Sequence, residues 1–362
     1  MQTITLQLPR GEVYSILIGY DVRERIGALL AELGIAGRSV VVTDSNVEDV
    51  HGHRLVQELT GCGLTVEMIA FPAGEASKNI DTALAIIRQL VNRGADRKTA
   101  LLALGGGVVG DVTGLVASLY MRSIPYVQIP TTLVAQVDSS IGGKTAIDLP
   151  EGKNLLGTFY QPRVVLTDPA FLATLPEGEF VNGLAEVVKY GIIDSGNLFT
   201  LLEDELAALK QLQRDVLTRV IERCCTIKKL FVEVDEKDQG PRRFLNFGHT
   251  LGHALEAASN YELSHGSGVS LGMMAAARLS EKIGGLPGRD RERIEHLIIK
   301  AGMPASIPDY ISTDLIMSKL RADKKKSGST INFVLLKAMG VPFVTGEVGD
   351  TLLRETIEEL KR

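Results

Sequence analysis

Cysteine is scarce in this chain. The three present, Cys62, Cys224 and Cys225, are odd in number and two are adjacent. That suits neither a disulfide framework nor a CxxC zinc pair, so reduced, buried thiols are expected. A basic surplus is missing as well. With 39 Lys and Arg against 44 Asp and Glu the formal net charge is −5, which leaves no global positive field to hold nucleic acid or anionic lipid. No stretch reaches the roughly 18 uncharged apolar residues of a membrane span. The opening MQTITLQLPRGEVYSILIG lacks the basic head and unbroken apolar run of a signal peptide, and a cytoplasmic protein is expected. What remains is 45% hydrophobic and 23% charged over 362 residues, the composition of an ordinary enzyme with two domains, each able to bury its own core.

Up to about residue 170, apolar strands alternate with helical segments, as in an α/β layer fold. SVVVTD (39–44), TVEMIAFP (65–72), TALLALGGG (99–107), PYVQIPTT (125–132) and RVVLTDP (163–169) read as strands. ASKNIDTALAIIRQLVNRG and DVTGLVASLYM read as helices. Beyond about residue 175 the period turns helical, with LPEGE as the punctuation. Near the end, TINFVLLK and VPFVTGEV predict a short hairpin and LLRETIEELKR a terminal helix. The expected division is an α/β domain over 1–175 and a mainly helical one over 176–362.

Half of the six histidines fall in RRFLNFGHTLGHALE and the following YELSHGSGVSLGM. His249 and His253, four apart on a predicted helix, share one face, and His265 opens a second helical segment. A metal wants neutral imidazoles converging from rigid elements and a carboxylate to balance charge. Glu186 in NGLAEVVKYGII is the best carboxylate, with Lys189 one turn along the same face. An arbitrary pair of helix histidines more often packs or caps; the third histidine and the surrounding glycines favour the metal.

GGGVVGD satisfies G-x-G-x-x-G at Gly105, Gly107 and Gly110, after a predicted strand and opening a predicted helix. In that context glycines let the backbone approach a pyrophosphate at a helix N-terminus. A turn using glycine for geometry alone is the plain alternative. The motif lacks the terminal Lys-Ser/Thr of a kinase phosphate loop. It also lacks an acidic residue about twenty positions downstream for the ribose, and Asp44, ending an upstream strand, is the substitute. AGEASK supplies Glu75 and Lys78, PTTLVAQVDSSIGGKTAID supplies Thr131, Thr132, Asp138 and Lys144, and EGKNLLGTFYQP adds Lys153 and Asn154. Each alone reads as a solvated loop; together, beside a nucleotide turn, they suggest a phosphorylated substrate.

With these stretches in this order, including GGGVVGDVTGLVAS, IPTTLVAQVDSSIGGKTAID and RRFLNFGHTLGHALE, nearly the whole chain resembles the 3-dehydroquinate synthase family. The resemblance implies an NAD-binding α/β domain, a helical metal-binding domain and an active site in the cleft between them. It implies conversion of 3-deoxy-D-arabino-heptulosonate 7-phosphate to 3-dehydroquinate and phosphate, a lyase step of the shikimate pathway toward chorismate and aromatic amino acids. Transient oxidation at C5 would acidify the C6 proton so that phosphate can leave; reduction and an intramolecular aldol closure would follow. NAD and a divalent metal, Zn or Co, are the implied cofactors, and a homodimer the implied assembly.

By position, the resemblance makes Glu186, His249 and His265 the metal ligands and moves His253 to a substrate-facing role near the leaving phosphate. Asp138, Lys144, Lys189 and Asn246 join His253 as catalytic residues, and Asn154, Lys228, Arg242 and a lysine of the DKKK run, Lys325 rather than Lys324, as substrate-binding ones. Arg122 would reach across a dimer interface toward the phosphate. NAD would be met by Asp44, Ala73, Gly74, Glu75, Ala76, Ser77, Lys78, Gly106, Gly107, Val108, Val109, Gly110, Asp111, Thr131, Thr132, Lys144, Lys153, Phe171, Leu172, Ala173 and Thr174. The chain departs from the common family text at MRSIP and GKTAID, where MRGIP and GKTGVN are usual, without losing a matched side chain. The rivals are another sugar-phosphate cyclase, which would not need Arg242 and Lys228 for a substrate carboxylate, and an NAD- and metal-dependent polyol dehydrogenase, which would not need the phosphate-binding lysines.

Overall fold

The computed structural model describes residues 1–20, 22–35, 37–194, 196–327 and 331–362, the side chains of 323–327 excepted. Strands run β1 Gln2–Gln7, β2 Val13–Ile18, β3 Arg38–Asp44, β4 Thr65–Phe71, β5 Ala100–Gly105, β6 Tyr126–Pro130, β7 Lys144–Leu149, β8 Gly152–Phe159, β9 Val164–Thr167, β10 Phe333–Ala338 and β11 Val341–Thr345. Helices run α1 Ile26–Glu32, α2 Ser45–Val47, α3 His53–Gly61, α4 Ile80–Asn92, α5 Gly107–Leu119, α6 Glu177–Ile193, α7 Leu198–Lys210, α8 Arg214–Val234, α9 His249–Ala258, α10 His265–Leu279, α11 Gly288–Lys300, α12 Thr313–Ser327 and α13 Asp350–Glu359. The chain groups into two units: Met1–Pro176 with Leu217–Lys237, and Glu177–Val216 with Asp238–Arg362. Most of α8 therefore groups with the first unit.

The first unit is built on a seven-stranded sheet of order β1-β2-β9-β6-β5-β3-β4. Only β1 and β2 pair antiparallel; every other neighbour is parallel. A parallel sheet covered on both faces needs strands apolar on both sides, and that is what the runs VVV and ALLAL provide. Val40, Val42, Leu101 and Ala103 join a core with Ile86 and Leu90 of α4 and Val109 and Val112 of α5. Their alternates Val41, Leu102 and Leu104 join a second core with Leu29 and Leu30 of α1 and Leu55 and Leu59 of α3. From β3 the connection leads outward to β4, whereas from β5 it leads the other way to β6. The order reverses between β3 and β5, which lie side by side.

Three expectations need correction. The segments 130–148 and 151–162, read as polar loops, contain the antiparallel hairpin β7–β8. Thr145 and Ile147 of β7 are buried, an alternation masked in the sequence by Gly142, Gly143 and Pro150 on either side. The helix read from Ala76 begins only at Ile80, because the Asn79 side chain accepts from Thr82 N at 2.9 Å and so caps it. None of the three cysteines is in a disulfide, and Cys224 and Cys225 are buried, but Cys62 at the end of α3 is exposed.

The second unit carries α6, α7, α9 to α13 and the hairpin β10–β11, which pairs antiparallel as expected. Its densest contact is α9 against α10, made backbone to backbone through glycines. A Cβ on Gly252 would lie 3.0 Å from the Gly268 carbonyl oxygen, and one on Gly268 would lie 2.9 Å from that of Gly252. Among the described residues no helix is long and apolar enough to cross a membrane.

Candidate active site

In the second unit three helices bring one carboxylate and two imidazoles together. Glu186 lies in the middle of α6 and is 1% exposed. His249 and His265 are the first residues of α9 and α10. Glu186 Oε1 sits 3.3 Å from Nε2 of each. Ligand atoms at tetrahedral zinc distances subtend about 3.4 Å, so this carboxylate oxygen and these two nitrogens fit a single divalent ion. His249 Nδ1 lies 3.2 Å from the Phe247 carbonyl, which favours the tautomer leaving Nε2 for a ligand.

The electrostatics suit the same role. Burial lowers the His249 pKa, and although Glu186 opposes this the net direction is down, toward the neutral ring a metal requires. For Glu186, burial acts upward but Lys189 and His249 hold the carboxyl well below its usual range. Lys189 Nζ is bonded to Glu186 Oε2, one turn along the helix as expected, and both side chains are buried. At His265, burial acts downward; hydrogen bonds to Glu186 and Glu256 overcome it and raise the pKa to about 10.

His253 stands beside this cluster, its ring centroid 5.3 Å from that of His249 and 6.0 Å from that of His265. The first reading of the i,i+4 histidines as joint ligands thus gives way to His249 with His265. His253 falls instead into a second group of donor atoms with Glu256 and His265. Glu256 was not singled out in the sequence, though its spacing of seven from His249 on one helix face was the available signal. Arg242 and Asn246 lie on a 3-10 turn, Pro241–Asn246, with Arg242 1% exposed and Asn246 exposed. The Lys325 side chain lies outside the described residues.

The first unit carries the remaining residues. Asp44 ends β3 and Gly105 ends the adjoining β5, so both strand ends lie side by side at the reversal of strand order, the place where open α/β sheets bind dinucleotides. Asp44 Oδ1 also accepts from Asn46 N and Val47 N at 2.9 and 3.0 Å, an N-cap that would exist without any ligand. Gly106 is the N-cap residue of α5, and no side chain caps that helix. Gly107, Val108, Val109, Gly110 and Asp111 form its first turns. A Cβ on Gly110 would lie 2.9 Å from Gln128 Oε1 on β6, so this glycine serves close helix–strand packing, while Val109 is core. Thr131 N is tied to Gly105 O at 3.0 Å, and Thr132 Oγ1 accepts from Ala135 N at 3.3 Å.

Lys78, itself buried, is the hub of a polar cluster. Its Nζ lies 2.7 Å from Asp111 Oδ2 and 2.6 Å from Asn154 Oδ1. Burial acts to lower the lysine pKa, but the charge and hydrogen bond of Asp111 together with Glu75 and Asp148 outweigh it and the net shift is upward; burial likewise pushes Asp111 up against the pull of Lys78. Asn154 adopts φ +56°, held there by Asp148, whose Oδ1 accepts from Asn154 N at 2.7 Å and whose own N donates to Lys78 O at 2.8 Å. The departure Asp148 thus has a structural task. Lys153 reaches Glu75 at 3.2 Å. Ala73, Gly74, Ala76 and Ser77 flank Glu75 in the turn after β4, where Ala73 N donates to Ser45 Oγ at 3.1 Å and Ser77 Oγ to Pro72 O at 2.6 Å. Asp138 is bonded to Lys228 of α8, and Lys144 is exposed at the start of β7. Phe171 and Leu172 are buried in a 3-10 turn, Pro169–Thr174, Ala173 is exposed, and Thr174 Oγ1 lies 2.7 Å from His51 Nε2. Arg122 stands in a turn of three residues of positive φ, Met121, Arg122 and Ser123.

Profiles for the N-terminal and C-terminal parts of 3-dehydroquinate synthase match residues 68–182 and 183–326. The 3-dehydroquinate synthase of Desulforamulus reducens is 43% identical over 338 residues, covering 93% of this chain and 94% of that protein. Among solved structures, a 2-deoxy-scyllo-inosose synthase complexed with carbaglucose-6-phosphate, NAD+ and Co2+ is 27% identical with a TM-score of 0.90, covering 99% of this chain and all of that one. The 2-epi-5-epi-valiolone synthase of Streptomyces hygroscopicus, with NAD+ and Zn2+ bound, is 29% identical with a TM-score of 0.88, covering 96% of each chain. The profiles span both units, and the curated relative is far above the solved cyclases in identity. The chain belongs to the 3-dehydroquinate synthase family.

Proposed function

We propose that the chain performs its family's reaction, converting 3-deoxy-D-arabino-heptulosonate 7-phosphate to 3-dehydroquinate and phosphate. It is an enzyme, a carbon–oxygen lyase. The observation that carries the reading is Glu186 Oε1 at equal distance from His249 and His265, a divalent-ion donor set in a chain of this family. NAD when bound takes and returns a hydride, and the divalent metal acidifies a hydroxyl and polarises a carbonyl. The metal would be held by Glu186, His249 and His265, with Zn2+ or Co2+ as the ion. NAD would be held by the uncapped start of α5, with Asp44, Thr131, Thr132 and the Lys78 cluster beside it. We assign an NAD-binding role to the unit containing β1–β9 and a metal-binding role to the unit containing α9 and α10.

Substrate contacts are assigned to Asp138, Lys144, Asn154 and Lys228 in the first unit and to Lys189, Arg242, Asn246 and His253 in the second. His253, exposed beside the donor set, relays a proton near the leaving phosphate oxygen. Arg242 grips the substrate carboxylate through two parallel hydrogen bonds, which a lysine cannot reproduce. Arg122 contacts the phosphate of a neighbouring subunit in a cytoplasmic homodimer.

The test supplies NAD in trace amount, Co2+ or Zn2+, and the heptulosonate phosphate. One phosphate and one 3-dehydroquinate should form per substrate, with no accumulation of NADH. Stoichiometric NADH would move the chain to the dehydrogenases, and efficient cyclisation of glucose 6-phosphate would move it to the other cyclases.

A further inference from the structure

We propose that Glu256 is a positioning residue for the metal centre, fixing the tautomer and ring plane in which His265 presents Nε2. The inference rests on the proposed ligand set and extends it by one residue. Glu256 is 2% exposed, and its Oε1 lies 2.9 Å from His265 Nδ1. His265 needs such a partner. It is the first residue of α10, its side chain is 35% exposed, and packing alone does not hold a ring so placed. A carboxylate accepting from Nδ1–H leaves Nε2 as the metal-facing nitrogen and raises its basicity.

The helices are shaped for this contact. Glu256 is on α9, which also carries His249, so one rigid element supplies one ligand and orients the other. Gly268 of α10 leaves the room: a Cβ there would lie 3.1 Å from Glu256 Cγ. His253, Glu256 and His265 also bring donor atoms within 4.8 Å of one another. A second ion in that group would require His265 to give up its Nδ1 proton while Nε2 is already ligated. A hydrogen-bonded carboxylate needs no such imidazolate, and the geometry points to orientation rather than to a second metal.

The test titrates Co2+ into metal-free wild type, Glu256→Ala, Glu256→Gln and Glu186→Gln, against a competing chelator and with the visible Co2+ spectrum recorded. Wild type should bind one ion per chain. Glu256→Ala should bind it about 10- to 100-fold more weakly with an altered spectrum. Glu256→Gln, which keeps the shape and loses the charge, should be about 10-fold weaker while its circular-dichroism spectrum stays that of wild type. If Glu256→Ala does not fold, the Glu256→Gln titration decides alone. Wild-type affinity and spectrum in the Glu256 variants would overturn the proposal. So would two ions per wild-type chain with Glu256→Gln losing only one. Unchanged binding by Glu186→Gln is a separate result that would overturn the ligand set itself.

Discussion

Gly272 of α10 faces Gly248, the N-cap residue of α9, so closely that a methyl group on Gly272 would overlap the Gly248 carbonyl oxygen. One turn away Gly268 and Gly252 stand in the same relation, and Gly248 itself adopts φ +82° to start α9. Glycine at these positions lets two helix backbones touch, and that approach brings His249 and His265 to the same carboxylate oxygen. Gly272→Ala should therefore force the helices apart, destabilising the protein by about 1–3 kcal/mol and lowering metal affinity together with it. Thermal unfolding with and without Co2+ checks this. A variant with unchanged melting temperature and metal content would show that the close approach is dispensable.

The donor set also sets a pH dependence. His265 is raised from 6.5 to about 10 in the metal-free fold, so between those values its ring is protonated, whereas a metal ligand must be neutral. Lowering the pH through this window should weaken metal binding by up to tenfold per unit, and binding near pH 8 should release about one proton. The sign for stability is the reverse. The imidazolium stabilises the metal-free fold fully below about pH 6.5, and that contribution fades as the pH rises toward 10. Calorimetry in buffers of different ionisation enthalpy counts the proton; metal affinity that ignores pH across the window would contradict the assignment.

Ser123 is a serine in a glycine conformation. Met121, Arg122 and Ser123 have φ of +48°, +67° and +96° in succession, and the last lies outside the small left-handed region open to ordinary residues. Ser123→Gly should raise stability by about 1 kcal/mol by releasing that strain while keeping the Arg122 backbone. Denaturant midpoints measure it, and a loss of stability would mean that the serine hydroxyl contributes more than the strain costs.

Arg242 is buried, and its guanidinium presents a planar fork of donors. Arg242→Ala should lower kcat/KM for the heptulosonate phosphate by about 2–5 kcal/mol, on the order of a hundredfold or more, without loss of metal or NAD binding. Steady-state kinetics beside metal analysis separates the two. Equal loss of metal would make Arg242 a structural cation of the second unit.

Much was legible because its signal is local. The runs VVV and ALLAL announce strands buried on both faces, the change of period near residue 175 announces the helical region, and three histidines in one window announce a donor set. The strands β7 and β8 were hidden because glycine and proline flank a short alternation, and β1 and β2 carry no run long enough to stand out. By itself the sequence determined which residue types are available: a glycine turn before a helix, a carboxylate and three imidazoles in the helical region, and lysines in the polar stretches of the α/β region. Tertiary structure decided which of them meet. Asp44 stands beside the glycine turn only because β3 and β5 are neighbours in the sheet, an ordering that hydrogen bonding between distant segments establishes and no spacing encodes. His265 displaced His253 from the donor set, because an i,i+4 pair shares a face whatever that face meets, whereas the meeting with Glu186 depends on how closely the glycines of α9 and α10 allow two backbones to pack.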